Sequence, residues 1–240
     1  MFTGDASILF GLSSSLRRVA MAALSNLAKF LGVYLWWRRI IENHGLKWGD
    51  GRSERFIISR MTNEGGSVLE WIKRVKRELP ELSVFMDFLA FSGLRFKEAV
   101  NSYNLVIDLT EKRGLNKYYN VEKESLEHYR FERLFIRRCK KAFVSFISRE
   151  FIKEIGKQKK LTQYQINNWV RRDKRLRARF CDVREYWATF MLRWLNRAEI
   201  DFLQGRIGVS TFMKYYFNPT LITDLKERVF KGLAELMKQL

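Results

Sequence analysis

Apolar residues recur at three- and four-residue spacing through most of this chain, the period expected of helices that each turn one side inward. Leu12, Leu16, Val19, Ala23, Leu27 and Leu31 form one such series, and Tyr34, Leu35 and Ile41 carry a second before Gly45 and Gly49-Asp50-Gly51 interrupt it. These predict a small helical unit over 1–50, followed by a linker over 51–66. A new helix is predicted from Ser67, a capping residue with Glu70 three positions on; Val68, Leu69, Ile72 and Val75 form its apolar side and Pro80 stops it. The stretch from Glu81 to Phe91 predicts the next helix, closed by Ser92-Gly93, where glycine can take the left-handed cap. Arg95 then opens another helix from a rigid junction.

Between Ser125 and Ile147 the period shortens. His128-Tyr129-Arg130-Phe131 and Ala142-Phe143-Val144-Ser145-Phe146 alternate and are rich in aromatic and β-branched residues, which predicts a small antiparallel sheet. Thr162, with Gln165 at its third position, starts a capped helix, and the pattern stays helical to Leu240 apart from breaks near Gly205, Gly208 and Pro219. Leu225, Val229, Leu233 and Leu236 share one side of the last helix, suited to packing on its own domain or to docking on a neighbour. The expected class is mainly α with a small antiparallel β-sheet, with the larger domain over 67–240.

Charge changes the picture from fold to partner. The 240 residues hold 45 Lys plus Arg against 26 Asp plus Glu, a formal charge of +19, which points to a polyanion. Because the basic residues are spread over a domain length, nucleic acid fits better than a membrane surface. Ser25, Asn26 and Lys29 interrupt the apolar stretch Ala20–Trp37, so a buried helix is expected there, with no span and no targeting segment. Cys139 and Cys181 are the only cysteines and His44 and His128 the only histidines, so neither a disulfide framework nor a zinc site is expected, and a reducing cytoplasmic setting fits. No phosphate loop or dinucleotide turn occurs, and Asp87, Asp108, Asp182 and Asp201 stand singly among basic residues, unlike the clustered carboxylates of a metal nuclease. No cofactor and no metal are expected.

What remains is an ordered series: Gly93-Leu94-Arg95-Phe96-Lys97-Glu98, then Arg138-Cys139-Lys140-Lys141, then Cys181-Asp182-Val183-Arg184, then Gln204-Gly205-Arg206, then Tyr215-Tyr216. This order resembles the catalytic boxes of the tyrosine recombinase (integrase) superfamily across the whole larger domain. The Gln-Gly-Arg box and the ten-residue step from Arg206 to Tyr216 resemble the integrases of archaeal spindle-shaped viruses and related plasmids. Two departures stand out: Cys181 takes a position usually held by His or Lys, and Tyr215 one where those relatives often have His.

The resemblance implies a tyrosine recombinase catalytic fold preceded by a short helical DNA-binding unit, resembling only part of the family's core-binding domain. It implies Arg95, Arg184 and Arg206 as a clamp on the scissile phosphate, Tyr216 as the nucleophile forming a 3′-phosphotyrosine, and Lys140, with Lys141 as rival, as the acid for the leaving 5′ oxygen. Guanidiniums suit the first role because their planar fork meets phosphate oxygens in pairs. Glu98, Cys181 and Tyr215 are supporting candidates. Arg171, Arg172, Lys174, Arg175, Arg177 and Arg179 form a run that reads either as a solvated helix end or as a phosphate-contacting strip. The implied partners are duplex DNA bearing an attachment site and further copies of the chain, as a tetramer that exchanges its tails.

Each piece alone is weak. A glycine cap before an Arg/Glu pair is common, two lysines suit any hairpin turn, and Tyr186, Trp187 and Phe190 read as core; His128 and Cys139 read as structural or incidental, and Cys181 as structural first. Two other readings stay open: an integrase-like DNA binder without turnover, and a strand transferase like type IB topoisomerases.

Overall fold

The computed structural model describes residues 4–48, 67–137, 140–172, 176, 179–207 and 211–240, apart from the side chain of Lys214. The chain divides into two compact units, Met1–Gly65 and Gly66–Leu240. No described helix is long and apolar enough to cross a membrane.

In the first unit a 3-10 turn, Ser7–Gly11, leads into α1 (Ser14–Phe30) and α2 (Tyr34–Asn43). Ser13 caps α1 by accepting from the Leu16 N–H. The helix forms as its period predicts, but it buries a different side. Met21, Ser25 and Ala28 face the small core of Ala6, Leu9, Trp37, Ile40 and Leu46, whereas Leu16, Val19, Leu27 and Leu31 are exposed. A polar contact sets this rotation: the Trp37 indole N–H donates to the Ser25 hydroxyl at 2.8 Å, a partner that a buried indole requires. Leu35 of the second series is also exposed.

The second unit is built around one nearly all-buried helix. α3 (Val68–Glu78) is capped by Ser67, and Pro80 ends it by opening a 3-10 turn, Pro80–Leu82. The helix expected from Glu81 therefore starts two residues later, as α4 (Ser83–Ser92), with Phe85, Met86, Phe88, Leu89, Ala90 and Phe91 all buried. Gly93 (φ +61°) provides the left-handed cap, and Arg95 is the N-cap of α5 (Phe96–Glu111).

Three short strands follow, β1 (Tyr119–Asn120), β2 (Ser125–Glu127) and β3 (Val144–Phe146), antiparallel in the order β1-β2-β3. Leu126 pairs with Tyr119 on one side and Ser145 on the other. The segment His128–Phe131, expected as strand, is a 3-10 turn that runs into α6 (Glu132–Phe135). Only one sheet-like bond survives there, from Tyr129 N–H to the Phe143 carbonyl at 3.2 Å.

The reason lies in His128, which is completely buried. Ser145 donates to the Ser92 carbonyl at 3.5 Å, which can only accept, so the neighbouring His128 Nε2–H must donate to Ser145 Oγ at 2.9 Å. His128 Nδ1 then accepts from the Tyr118 hydroxyl at 2.6 Å, and Tyr118 in turn accepts from Ser102 at 2.8 Å. One neutral tautomer satisfies the whole chain of bonds. The sheet is thereby tied to both α4 and α5.

α7 (Arg149–Ile155) and α8 (Gln163–Arg172) follow, the second capped reciprocally by Thr162 and Gln165 as the sequence predicts. α9 (Phe180–Met191), α10 (Arg197–Leu203) with its Asn196/Glu199 capping box, the short α11 (Thr211–Tyr215), a Pro219–Leu221 turn and α12 (Leu225–Met237) complete the unit. Leu225, Val229, Leu233 and Leu236 of α12 are buried in the core of their own domain, so of the two destinations open to this helix it takes the intramolecular one. Arg228 holds it there by bonding Glu199 and the Trp194 carbonyl.

Burial pushes the pKa of His128 down to about 3. In the unfolded chain it titrates near 6.5, so below that pH the unfolded state binds the extra proton and stability falls as pH drops, until about pH 3. Urea melts of wild type should lose about 2 kcal/mol from this residue between pH 6.5 and 5, at roughly 1.4 kcal/mol per unit. The variant His128→Gln should be less stable at pH 7 and lack that increment; an unchanged pH slope would show that His128 does not titrate on unfolding.

Candidate active site

The site grows from two backbone turns held against α9. Gly93 lies so close to Trp187 that a Cβ there would sit 2.6 Å from its ring, and the Trp187 indole donates to the Phe91 carbonyl at 3.0 Å. One turn earlier on the same helix, Arg184 is 7% exposed, and its guanidinium donates to the Gly93 carbonyl at 3.0 Å and to the Gln204 carbonyl at 2.5 Å. Gln204 returns a bond to the Arg184 carbonyl at 2.9 Å. Arg184 thus joins the α4–α5 turn to the end of α10.

A third segment closes the circuit. The chain from Phe135 to Ala142 doubles back, with an Ile136–Lys141 bridge, an Arg137 N–H to Lys140 carbonyl bond at 3.0 Å and an Ala142 N–H to Phe135 carbonyl bond at 3.0 Å. Arg95 donates to the Lys141 carbonyl at 3.2 Å. Gly205 (φ +65°) packs on that same carbonyl, where a Cβ would lie 1.9 Å from the oxygen, so no side chain can be accommodated. Arg206, the next residue, is anchored by its N–H to the Asp201 carbonyl at 2.7 Å and keeps its side chain exposed.

Three of the expected site arginines therefore share one neighbourhood. Their charges register on one another: burial first, then Arg95 and Arg206, pull the Arg184 pKa down to about 9. Burial likewise lowers Arg95, with Arg206 and Arg137 adding to the effect and Glu98 opposing it. At neutral pH the group remains charged, and the crowding of like charges is unfavourable. Two guanidinium nitrogens of Arg184 donate to carbonyls.

The remaining candidates fall in different places. Glu98, one turn after Arg95 on α5, is buried and ion-paired with Arg137, a residue that the sequence alone did not single out. In the sequence Arg137 is one more basic residue shortly before the lysine pair, and its importance is visible only once a buried acid is known to face it. Lys140 is exposed and Lys141 half-buried, while Arg138 and Cys139 lie outside the described residues. Cys181 is exposed, one turn before Arg184 and near enough to touch its electrostatics. Tyr186 is half-buried, and Trp187 and Phe190 are core, as expected.

Tyr215 and Tyr216 are exposed, at 67% and 74%. Tyr216 follows α11 directly, and its N–H bonds the Phe212 carbonyl at 2.9 Å. The next residue, Phe217, packs on Phe202 of α10 at 5.5 Å, and Phe202 stacks on Phe143 beyond the lysine hairpin at 5.8 Å. Those rings connect the tyrosine, the Arg206 segment and the hairpin. Of the basic run, Arg171 and Arg172 stand exposed in the last turn of α8 and Arg179 is paired with Asp182 at 2.7 Å; Lys174, Arg175 and Arg177 lie outside the described residues. Among the described residues no group of His, Cys, Asp and Glu is placed to hold a metal ion.

A family model described as archaeal phage integrase matches residues 60–230, a span that contains every box from Arg95 to Tyr216. No curated protein and no solved structure matches the chain significantly.

The crowded arginines predict anion binding without DNA. Sulfate or phosphate at ten times its dissociation constant should add about 1.4 kcal/mol, raising the melting temperature by roughly 3–6 °C. That gain should shrink in Arg95→Ala and Arg206→Ala; a full gain in both would place the anion elsewhere.

Proposed function

Since the chain belongs to the archaeal phage integrase family, we propose that it is a site-specific recombinase that cuts and rejoins duplex DNA through a covalent link to Tyr216. The observation that carries this reading is the convergence of Arg95, Arg184 and Arg206 around the Gly93 and Gly205 turns, where burial and then the neighbouring guanidiniums lower the proton affinity of Arg184 and Arg95 although Glu98 and Asp201 stand nearby. Phosphodiester exchange passes through a transition state with negative charge spread over the non-bridging oxygens, and a fixed positive clamp favours that state over the ground state.

In this mechanism the Tyr216 oxygen attacks phosphorus in line as its phenolic proton passes to solvent water. The bond from phosphorus to the 5′ oxygen breaks with its electron pair staying on that oxygen, and Lys140 delivers the proton that makes it a hydroxyl. A 3′-phosphotyrosine ester and a free 5′-hydroxyl result. One phosphodiester replaces another, so no nucleotide hydrolysis is needed to drive the step, and a 5′-hydroxyl from a second duplex can reverse it. Exchange of all four strands between two duplexes calls for a tetramer on the attachment sites. The exposed Arg171 and Arg172 would contact backbone phosphates, with the first unit helping to close around the duplex.

The decisive experiment incubates the protein with a nicked suicide duplex carrying its attachment site, without metal or ATP, and looks for a covalent adduct on denaturing gels. Wild type and Tyr215→Phe should form it and Tyr216→Phe should not. Arg95→Ala and Arg206→Ala should slow cleavage by about 10²–10³-fold. Tight binding with no adduct would leave a DNA-binding protein without turnover, and relaxation of supercoils lacking any specific site would indicate a topoisomerase-like activity.

Binding has its own signature. Because each neutralised phosphate releases counterions, Arg171→Ala and Arg172→Ala should each flatten the plot of log affinity against log salt by about one unit. A slope unchanged in the double variant would remove the end of α8 from the interface.

A further inference from the structure

The Glu98–Arg137 pair lies outside the three clamp arginines, although both of its charges are felt by Arg95, and it joins the two segments on which the proposed chemistry depends. Glu98 is 1% exposed and stands one turn after Arg95, so both project from the first turn of α5. A carboxylate buried to that degree is tolerable only with a cation held against it, and Arg137 is that cation. Arg137 is also the root of the lysine hairpin: its backbone N–H donates to the Lys140 carbonyl at 3.0 Å, beside the Ile136–Lys141 bridge. The hairpin is therefore fastened to α5 twice, by Arg95 on the Lys141 carbonyl and by Glu98 on Arg137.

Without the second tie the Arg137 side of the hairpin would lose its anchor on α5, leaving the Lys141 side, held by Arg95 and packed on Gly205, as a pivot. Lys140 is exposed, so its aim depends on where the hairpin is held. We propose that Arg137 is a positioning residue that, through Glu98, sets the hairpin so that the Lys140 ammonium reaches the leaving 5′ oxygen. This rests on the reading of Lys140 as the general acid.

The test uses two suicide duplexes, one with the ordinary bridging 5′ oxygen and one with sulfur in its place. A thiolate leaves without being protonated, so the sulfur substrate bypasses the acid and nothing else. On ordinary DNA, Lys140→Ala and Arg137→Ala should both slow cleavage, by about 10²–10⁴-fold for the first as expected for loss of a general acid, and by a similar or smaller factor for the second. On the sulfur substrate both should return to within a few-fold of wild type. Glu98→Gln, which leaves no bare buried charge, should behave like Arg137→Ala, and the double variant should be no slower than either single one.

Arg137→Ala and Glu98→Gln that remain slow on sulfur while Lys140→Ala recovers would overturn the proposal, showing that the pair supports the fold or the phosphate itself. Slow cleavage of the sulfur substrate by Lys140→Ala would overturn it together with the assignment of the acid. Absence of any wild-type adduct would overturn the reading of the whole site.

Discussion

A single guanidinium, that of Arg184, holds the larger unit's functional end together. Buried at the meeting point of α4, α5 and α10, it satisfies the carbonyls of Gly93 and Gln204 at once. Those carbonyls terminate helical segments and lack partners inside their own helices, so a buried donor there removes a penalty that two free carbonyls would impose. Lysine could not replace it, because a single ammonium on a flexible stem does not span two carbonyls with a planar fork. The glycines follow from the same constraint: Trp187 pressed on Gly93 and the Lys141 carbonyl pressed on Gly205 leave no volume for a side chain.

This arrangement sets stability against function. Placing Arg184 beside Arg95 and Arg206 is electrostatically unfavourable in the empty protein, and Glu98 is the acid that opposes it from within the core. The cluster survives because the core fixes its centre, Arg184: α4 is buried on almost every side and α9 is locked to it through Trp187. Local rules that hold elsewhere in the chain are broken at this cluster of like charges, and the apolar packing of α4 supplies the free energy that tolerates the breach.

Some of this was legible in the sequence, and the physical reasons differ from place to place. The caps at Ser67 and Thr162, the stop at Pro80, the left-handed turn at Gly93 and the buried side of α12 rest on local backbone chemistry or on a clean period, so the sequence was enough. The buried side of α1 was misread because apolar residues outnumber the places available in a small core, and the Trp37–Ser25 bond, a long-range contact, chose among them. His128–Phe131 has the composition of a strand but coils because the His128 ring is required inside. Arg137 was passed over for a related reason. A basic residue in a run of basic residues looks solvated until the fold brings a buried carboxylate to it.

The nucleophile proposed here is held in a different way from the clamp. A helix as short as α11 does not persist on its own, so the position of Tyr216 depends on what its neighbours bury. Met213 on one side is buried and Phe217 on the other packs on Phe202, while Tyr216 itself points to solvent. Phe202 lies between Phe217 and Phe143, so the same ring that seats the tyrosine segment also braces the hairpin and the helix leading to Arg206. The centre of the proposed clamp, Arg184, is thus fixed by buried hydrogen bonds, and the group that would attack is seated by a few aromatic contacts at the surface. For a reaction in which the phenol must reach phosphorus, hold the DNA end covalently and later withdraw, that division of stiffness is physically apt: the clamp has one position to keep, and the tyrosine has more than one.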